Sequence, residues 1–206
     1  MTSGLGTARR AVGPVVAVVV GYALGSIPSA DIATRLAPTD VVDMRSVGSG
    51  NPGATNAAAV LGKRWGAAVL AADMAKGGAA GTLGRAVAGP AGAYAAATAS
   101  IAGHIVPPWS RGRGGKGVAT SAGAGAAVFP AYFPIDTAVV AVAALANRNA
   151  ERAIWVSSLA SVTASLVWWR RGLPNGWGPP PTVGLPLYSL ASAGMIVAKF
   201  RSARRR

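Results

Sequence analysis

The chain has 206 residues, 51% of them hydrophobic and only 13% charged, with a mean hydropathy of +0.40. Soluble domains carry about 25% charge, so these values exclude an ordinary soluble fold. The formal net charge is +14, from 20 Lys and Arg against 6 Asp and Glu. The bases lie between and beyond apolar runs, which suits loops facing an anionic bilayer better than a surface for nucleic acid. Zero cysteines rule out disulfides, thiol catalysis and Cys-ligated zinc. The single histidine leaves too few ligands for an ordinary metal site, so neither metal nor cofactor is expected.

Segments free of Asp, Glu, Lys and Arg mark the passes, because a charge at a helix centre costs about 2.5 to 3.5 kcal/mol on insertion scales. Residues 11–30 come first and are read as a retained helix, since no small-residue cleavage site precedes the Gly-Ser-Ile-Pro-Ser-Ala-Asp segment. A second candidate, 65–84, is interrupted by Asp73 and Lys76. Then follow 86–110, 117–135, the short 137–147, 153–169 and 172–198. The sequence therefore predicts an all-α integral membrane protein of about seven transmembrane helices, forming a single membrane-embedded domain over residues 1–206.

The small-residue stretches in these segments suit close helix packing in lipid. Trp65, Trp109, Trp168 and Trp169 stand near proposed helix ends, as an interfacial belt requires. With seven passes, the loops on one side hold 14 bases and those on the other hold 5. The positive-inside rule then puts the N-terminus outside and the C-terminus in the cytoplasm.

Two glycine-rich loops fall on the cytoplasmic side of this scheme. The first is Gly48-Ser-Gly-Asn-Pro-Gly-Ala-Thr-Asn56, preceded by Asp43 and Arg45; the second is Gly112-Arg-Gly-Gly-Lys-Gly-Val-Ala-Thr-Ser121. Glycines let backbone N–H groups approach an anion closely, while hydroxyls, amides and a following helix N-terminus add donors. Arg45, Ser49, Gly50, Asn51, Gly53, Thr55 and Asn56 in the first loop are therefore candidates for holding phosphate. So are Gly114, Gly115, Lys116, Gly117, Thr120 and Ser121 in the second. The opposing reading is that Gly-rich segments are connectors and that Arg111, Arg113 and Lys116 only set topology.

Asp73 and Lys76 are spaced to pair on one helix, so Lys76 is either a substrate contact or the structural partner of Asp73. His104, in Gly103-His-Ile-Val-Pro107, is either a general base or a hydrogen-bonding residue at a helix end.

Together these residues resemble the bacterial membrane acyl-phosphate:glycerol-3-phosphate acyltransferase family. The match runs through Gly25-Ser-Ile-Pro28, Asp43-Met-Arg45, the Gly48–Asn56 loop, Leu61-Gly62, Asp73 with Lys76-Gly77, Gly103-His104 with Pro107, and Gly114-Gly-Lys-Gly-Val-Ala-Thr120. The resemblance implies a multi-pass enzyme of the bacterial inner membrane with a cytosol-facing site. It implies that acyl phosphate and glycerol 3-phosphate are the substrates and lysophosphatidic acid the product. Acyl phosphate is already activated, so direct transfer is expected, with Lys116 and the loop amides holding phosphate and Ser49 and Asn56 orienting it. His104 is the alternative base.

Some positions depart from the family pattern. Ala59 stands where an Arg is usual, and Phe200, Arg201, Ser202 and Ala203 stand where a His-Arg-x-Asn element is usual. A Ser-rich segment after an Arg is kept only as Arg152 with Ser157 and Ser158. Arg201, Arg204 and Arg205 are candidates to supply the lost contacts. The alternatives are a degenerate, non-catalytic relative, or a membrane protein that binds or conducts anions.

Overall fold

The computed structural model describes residues 3–147 and 150–204. Among them run α1 (Ser3–Gly25), α2 (Ser29–Leu36), α3 (Ala54–Val60), α4 (Lys63–Ile105), α5 (Val118–Val128), α6 (Phe133–Asn147), α7 (Ala150–Arg171) and α8 (Gly184–Arg204). A 3₁₀ turn spans Pro108–Ser110, and the described residues contain no strand.

Helix α4 is two passes in one element. Ala88 (φ −141°, ψ 28°) and Gly89 (φ 62°, ψ −151°) leave helical geometry, and Pro90 starts the second arm where a missing N–H costs nothing. The two arms with α1, α5, α6, α7 and α8 make the seven helices the sequence anticipates. Helices α2 and α3 are short additions that carry the first glycine-rich loop.

Small residues bring the first four passes together. Gly13 of α1 lies on Ala88 at the kink, and Gly21 and Gly25 lie on Ala96 and Ser100 of the second arm of α4. Gly84 lies on Gly92 across the kink, while Gly77 and Gly81 face Thr120, Ala124, Ala127 and Val128 of α5. In lipid no hydrophobic force separates helix from solvent, so such close backbone approach supplies the packing energy. A Cβ at Gly123 would strike the Met74 carbonyl, whereas one at Gly194 on α8 meets nothing within 4 Å. Gly123→Val should therefore lower the thermal midpoint of the detergent-purified protein by roughly 1–3 kcal/mol of stability or more, with Gly194→Ala near wild type. A Gly123→Val protein as stable as wild type would contradict this packing.

These pairings also fix directions. α1 runs parallel to the second arm, and the two arms are antiparallel. α5 runs parallel to the first arm, and α8 follows the second, with Gly184 beside Tyr94 and Lys199 beside Ile105. Both glycine-rich loops and the end of α8 therefore gather at one end of the bundle. Segment 172–183 lies at the other end, where Arg85 donates to the Trp177 carbonyl.

Several boundaries differ from the charge-free runs. The run 117–135 is not one helix: α5 has 11 residues, about 16 Å at 1.5 Å per residue, against a hydrocarbon core of about 30 Å. The chain breaks at Phe129-Pro130, and the short 137–147 run is the main part of the 15-residue α6. The last helix begins at Gly184, not 172, because Pro179, Pro180 and Pro181 deny it donors. Side chains from 172–183 instead cap α5: Trp177 Nε1 donates to the Ala126 carbonyl and Asn175 Nδ2 to that of Val128. Judged by length and hydropathy alone, Val12–Leu36 is the described segment that qualifies to cross a membrane, at a mean hydropathy of 1.7. The other passes are shorter, richer in Gly and Ala, or carry charge, as α4 does at Asp73, Lys76 and Arg85.

The main core joins the second arm of α4 to α5, α7 and α8 through residues such as Tyr94, Ile101, Val128, Phe129 and Leu185. A smaller core of Ala30, Ala33, Met44, Ala57 and Val69 pins α2, α3 and the loop between them onto the first arm of α4.

Candidate active site

The first loop is held by its own side chains. Asn56, 3% exposed, accepts from the Ser49 amide through Oδ1 at 2.8 Å and donates through Nδ2 to the carbonyls of Met44 (3.0 Å) and Val47 (3.1 Å). Gly48 (φ 57°) and Gly50 (φ 66°) occupy the left-handed region, and a Cβ on Gly48 would collide with Asn56 Oδ1. Asn56 thus shapes the loop rather than its opening. Thr55 is exposed on α3, and neither it nor Gly53 lines a cavity in the site.

Arg45 is the clasp between the two loops. Its Nη1 and Nη2 bind Asp31 at 2.8 and 3.0 Å, Nη1 also meets Asp43 at 2.9 Å, and Nε donates to the Arg113 carbonyl at 2.8 Å. Partial burial pushes the Asp43 carboxyl up, but hydrogen bonds from the Arg45 amide and guanidinium, with that charge beside it, hold it below the usual carboxylate value. The hydrogen bond to Asp31 holds the guanidinium proton more tightly than usual despite burial. Asp43 therefore stabilises the clasp above the ordinary carboxylate range, and that support is lost only as pH falls through the lowered value. Arg45 lies on the cavity wall with its charge offset by two carboxylates.

The second loop turns on Arg111 (φ 51°), Gly112 (φ 76°) and Gly117 (φ 87°). The Gly114 amide donates to the Ile105 carbonyl, tying the loop back to α4. A Cβ at Gly115 would strike His104 Nε2, so the imidazole is covered by loop backbone. Thr120, fully buried, packs against Gly77. Ser121 donates to the Val118 carbonyl and lines a separate cavity of about 70 Å³ with Asp136, Ser157 and Ser158.

Lys76 Nζ meets Asp73 Oδ1 at 2.9 Å and donates to the Ile27 carbonyl at 2.9 Å, where α1 has ended. His104 Nδ1 stands 3.6 Å from the same carboxylate oxygen. All three are at least 93% buried, behind a crevice of about 20 Å³ shared with Asp31, Arg45, Gly114 and Gly115. Lys76 is here a bridge between the two arms' charged centre and the end of α1.

The opening itself is a cavity of about 500 Å³. Its walls are Arg45, Ser46, Gly48, Ser49, Gly50, Asn51 and Pro52 from the first loop, Gly112, Arg113, Gly114 and Lys116 from the second, and Lys199, Ser202 and Ala203 from α8. Of the residues singled out in the sequence, it brings together Arg45, Ser49, Gly50, Asn51, Gly114 and Lys116. Gly53, Thr55, Asn56, Lys76, His104, Gly115, Gly117, Thr120 and Ser121 stand off it.

The sequence reading missed Asp31, Lys199 and Ser202. Lys199 was counted only as a base at the end of the last pass, and the pairing of Asp31 with Arg45 depends on the fold. Arg201, a candidate substitute for lost contacts, places its guanidinium carbon 4.8 Å from the Trp155 ring centroid. The Arg204 side chain and Arg205 lie outside the described residues. Among the described residues no group of three or more His, Cys, Asp and Glu could hold a metal ion.

This architecture defines an all-helical membrane protein with a basic, glycine-lined cavity at the loop-bearing end of its bundle. Residues 15–206 match the family described as glycerol-3-phosphate acyltransferase. A glycerol-3-phosphate acyltransferase of Nitrobacter winogradskyi is 40% identical over 161 residues, covering 78% of this chain and 80% of the relative. One of Rubrobacter xylanophilus is 41% identical over 157 residues, covering 74% and 76%. The chain is also similar to the crystal structure of an integral membrane glycerol 3-phosphate acyltransferase in its glycerol 3-phosphate form. That likeness has a TM-score of 0.76 and 29% identity, with 94% of this chain and 90% of the other covered. A second form of that protein, with lysophosphatidic acid, gives a TM-score of 0.75 and 28% identity. The chain belongs to the glycerol-3-phosphate acyltransferase family.

Proposed function

We propose that this protein moves a fatty acyl group from acyl phosphate to the 1-hydroxyl of glycerol 3-phosphate, yielding lysophosphatidic acid and inorganic phosphate. The observation that carries the reading is the 500 Å³ cavity, where both glycine-rich loops meet Lys116 and Lys199. Two phosphate-bearing substrates need such a wall of small polar residues and cations, and relatives in this family are named glycerol-3-phosphate acyltransferase.

The chemistry asks little of a protein nucleophile. The glycerol hydroxyl oxygen attacks the carbonyl carbon of the mixed anhydride, the bond from that carbon to the phosphate oxygen breaks, and the hydroxyl proton leaves on phosphate. Lys116, with the Ser49 hydroxyl and the Asn51 side chain on the same wall, holds the phosphates and stabilises the charge that develops. His104 is screened from the cavity by Gly115, so its role is in the buried cluster with Asp73 and Lys76 rather than as the base.

We infer a multi-pass protein of the bacterial cell membrane with its N-terminus outside and the cavity and C-terminus facing the cytoplasm, a reading supported by the 14-to-5 distribution of bases. Because the chain has no cysteine, single cysteines introduced at Asn51, Arg113 and Gly172 can be labelled from either side of oriented vesicles. The first two should react from the cytoplasmic side and the third from the outer side. Labelling of Asn51 and Arg113 from opposite sides would dismantle the shared site.

Purified protein given acyl phosphate and glycerol 3-phosphate should release lysophosphatidic acid and phosphate in equal amounts. A second reading, a relative that binds phosphorylated lipid without turnover, draws on Phe200 and Ala203 at positions where the family pattern has His and Asn. A folded, inserted protein that binds glycerol 3-phosphate but releases neither product would establish that reading instead.

A further inference from the structure

The cations around the large cavity are fixed in two different ways. Arg45 is held by two carboxylates, which cancel its charge. Lys116 places its ammonium 4.3 Å from the centroid of the Phe200 ring. An aromatic face attracts a cation through its quadrupole and carries no formal charge, so it can hold an ammonium without neutralising it. The ring is itself anchored: Phe200 is partly buried and packs against the main core, one residue beyond Lys199 on the cavity wall. A phenyl group cannot bind phosphate directly, so whatever Phe200 contributes to an anion site passes through Lys116.

We propose that Phe200 is a positioning residue: it holds the Lys116 ammonium at the cavity wall with its charge intact, and so sets the affinity for the phosphate of glycerol 3-phosphate. This rests on the acyltransferase reading for its substrate, and on the Lys116–Phe200 contact for its mechanism. A carboxylate at position 200 would fix Lys116 equally well and remove the attraction. The ring does the first without the second.

The test compares Phe200→Tyr, which keeps the aromatic face, with Phe200→Met, which keeps apolar bulk and loses it. In lipid-reconstituted full-length protein, Phe200→Met should raise the apparent KM for glycerol 3-phosphate about three- to tenfold with kcat within twofold, while Phe200→Tyr stays near wild type. A second readout needs no turnover. Site-resolved acylation of Lys116 by a small water-soluble amine reagent, referenced to exposed Lys63, should be at least threefold faster in Phe200→Met, because the ring no longer covers the ammonium. Unchanged KM and unchanged Lys116 labelling in Phe200→Met would overturn the proposal, as would a Tyr variant as impaired as the Met one. If wild type transfers no acyl group, the acyltransferase reading fails, and the labelling comparison alone decides the role of Phe200. Should Phe200→Met fail to insert, Phe200→Leu takes its place. Failure of both while Tyr inserts would make the ring a packing residue and refute the positioning role.

Discussion

Lys116→Ala is expected to raise the apparent KM for glycerol 3-phosphate by roughly tenfold to a hundredfold, with membrane insertion and thermal midpoint unchanged. The estimate follows from a charge-assisted hydrogen bond to phosphate, worth about 1.5–3 kcal/mol. Lys116 is the natural place for the largest binding effect because, among the described residues, no carboxylate lines the cavity beside it, whereas Arg45 is paired with two. Lys116→Arg should recover only part of the loss, since a planar guanidinium on a longer stem meets both phosphate and the Phe200 ring in a different geometry. Steady-state kinetics at varied glycerol 3-phosphate would check this, and wild-type saturation in Lys116→Ala would reduce the residue to a topology signal.

A larger loss, in stability, is expected at Asp73. The carboxylate is 2% exposed and is the charged partner of Lys76, itself 6% exposed. Removing one member of a buried ion pair leaves the other uncompensated, at a cost of roughly 3–5 kcal/mol. Asp73→Ala should therefore lower the thermal midpoint sharply. The double variant Asp73→Ala with Lys76→Met should recover much of it, because an apolar replacement removes the stranded charge. The recovered protein would still lack the Lys76 bond to the Ile27 carbonyl, so the restoration should be incomplete. Equal stability of wild type and Asp73→Ala would show that the pair does not hold the two arms and the end of α1 together.

The number of passes and the meeting of the two glycine-rich loops were legible in the sequence, because both follow from where charge is absent and where bases gather. The kink at Ala88–Gly89 falls just after Arg85, the charge that separates the 65–84 and 86–110 candidates. What counting charges could not see was a break inside an uncharged run: Phe129-Pro130 divides α5 from α6 without any charged residue nearby. At the site, the sequence named two loops that meet at one cavity, but not which of their residues face it. Asn56 was read as a phosphate ligand and is spent on three backbone partners, since residue type alone does not tell which way an amide points. Arg201 and Lys199 show the same limit on a helix. Two positions differ by about 200° around the axis, so with Lys199 on the cavity, Arg201 turns away to Trp155, while Ser202 and Ala203 return to the cavity face.

The cap that residues 172–183 place on α5 has a bearing on how the chain is made. The carbonyls of Ala126 and Val128 wait for donors that lie 51 and 47 residues later in the sequence. During synthesis α5 is therefore complete as a helix well before its end is closed, and in hydrocarbon a bare carbonyl is costly. Assembly of the fourth pass becomes a late event. It is finished only when Asn175 and Trp177 emerge ahead of the seventh pass, so the two halves of the bundle mature together rather than in order of translation.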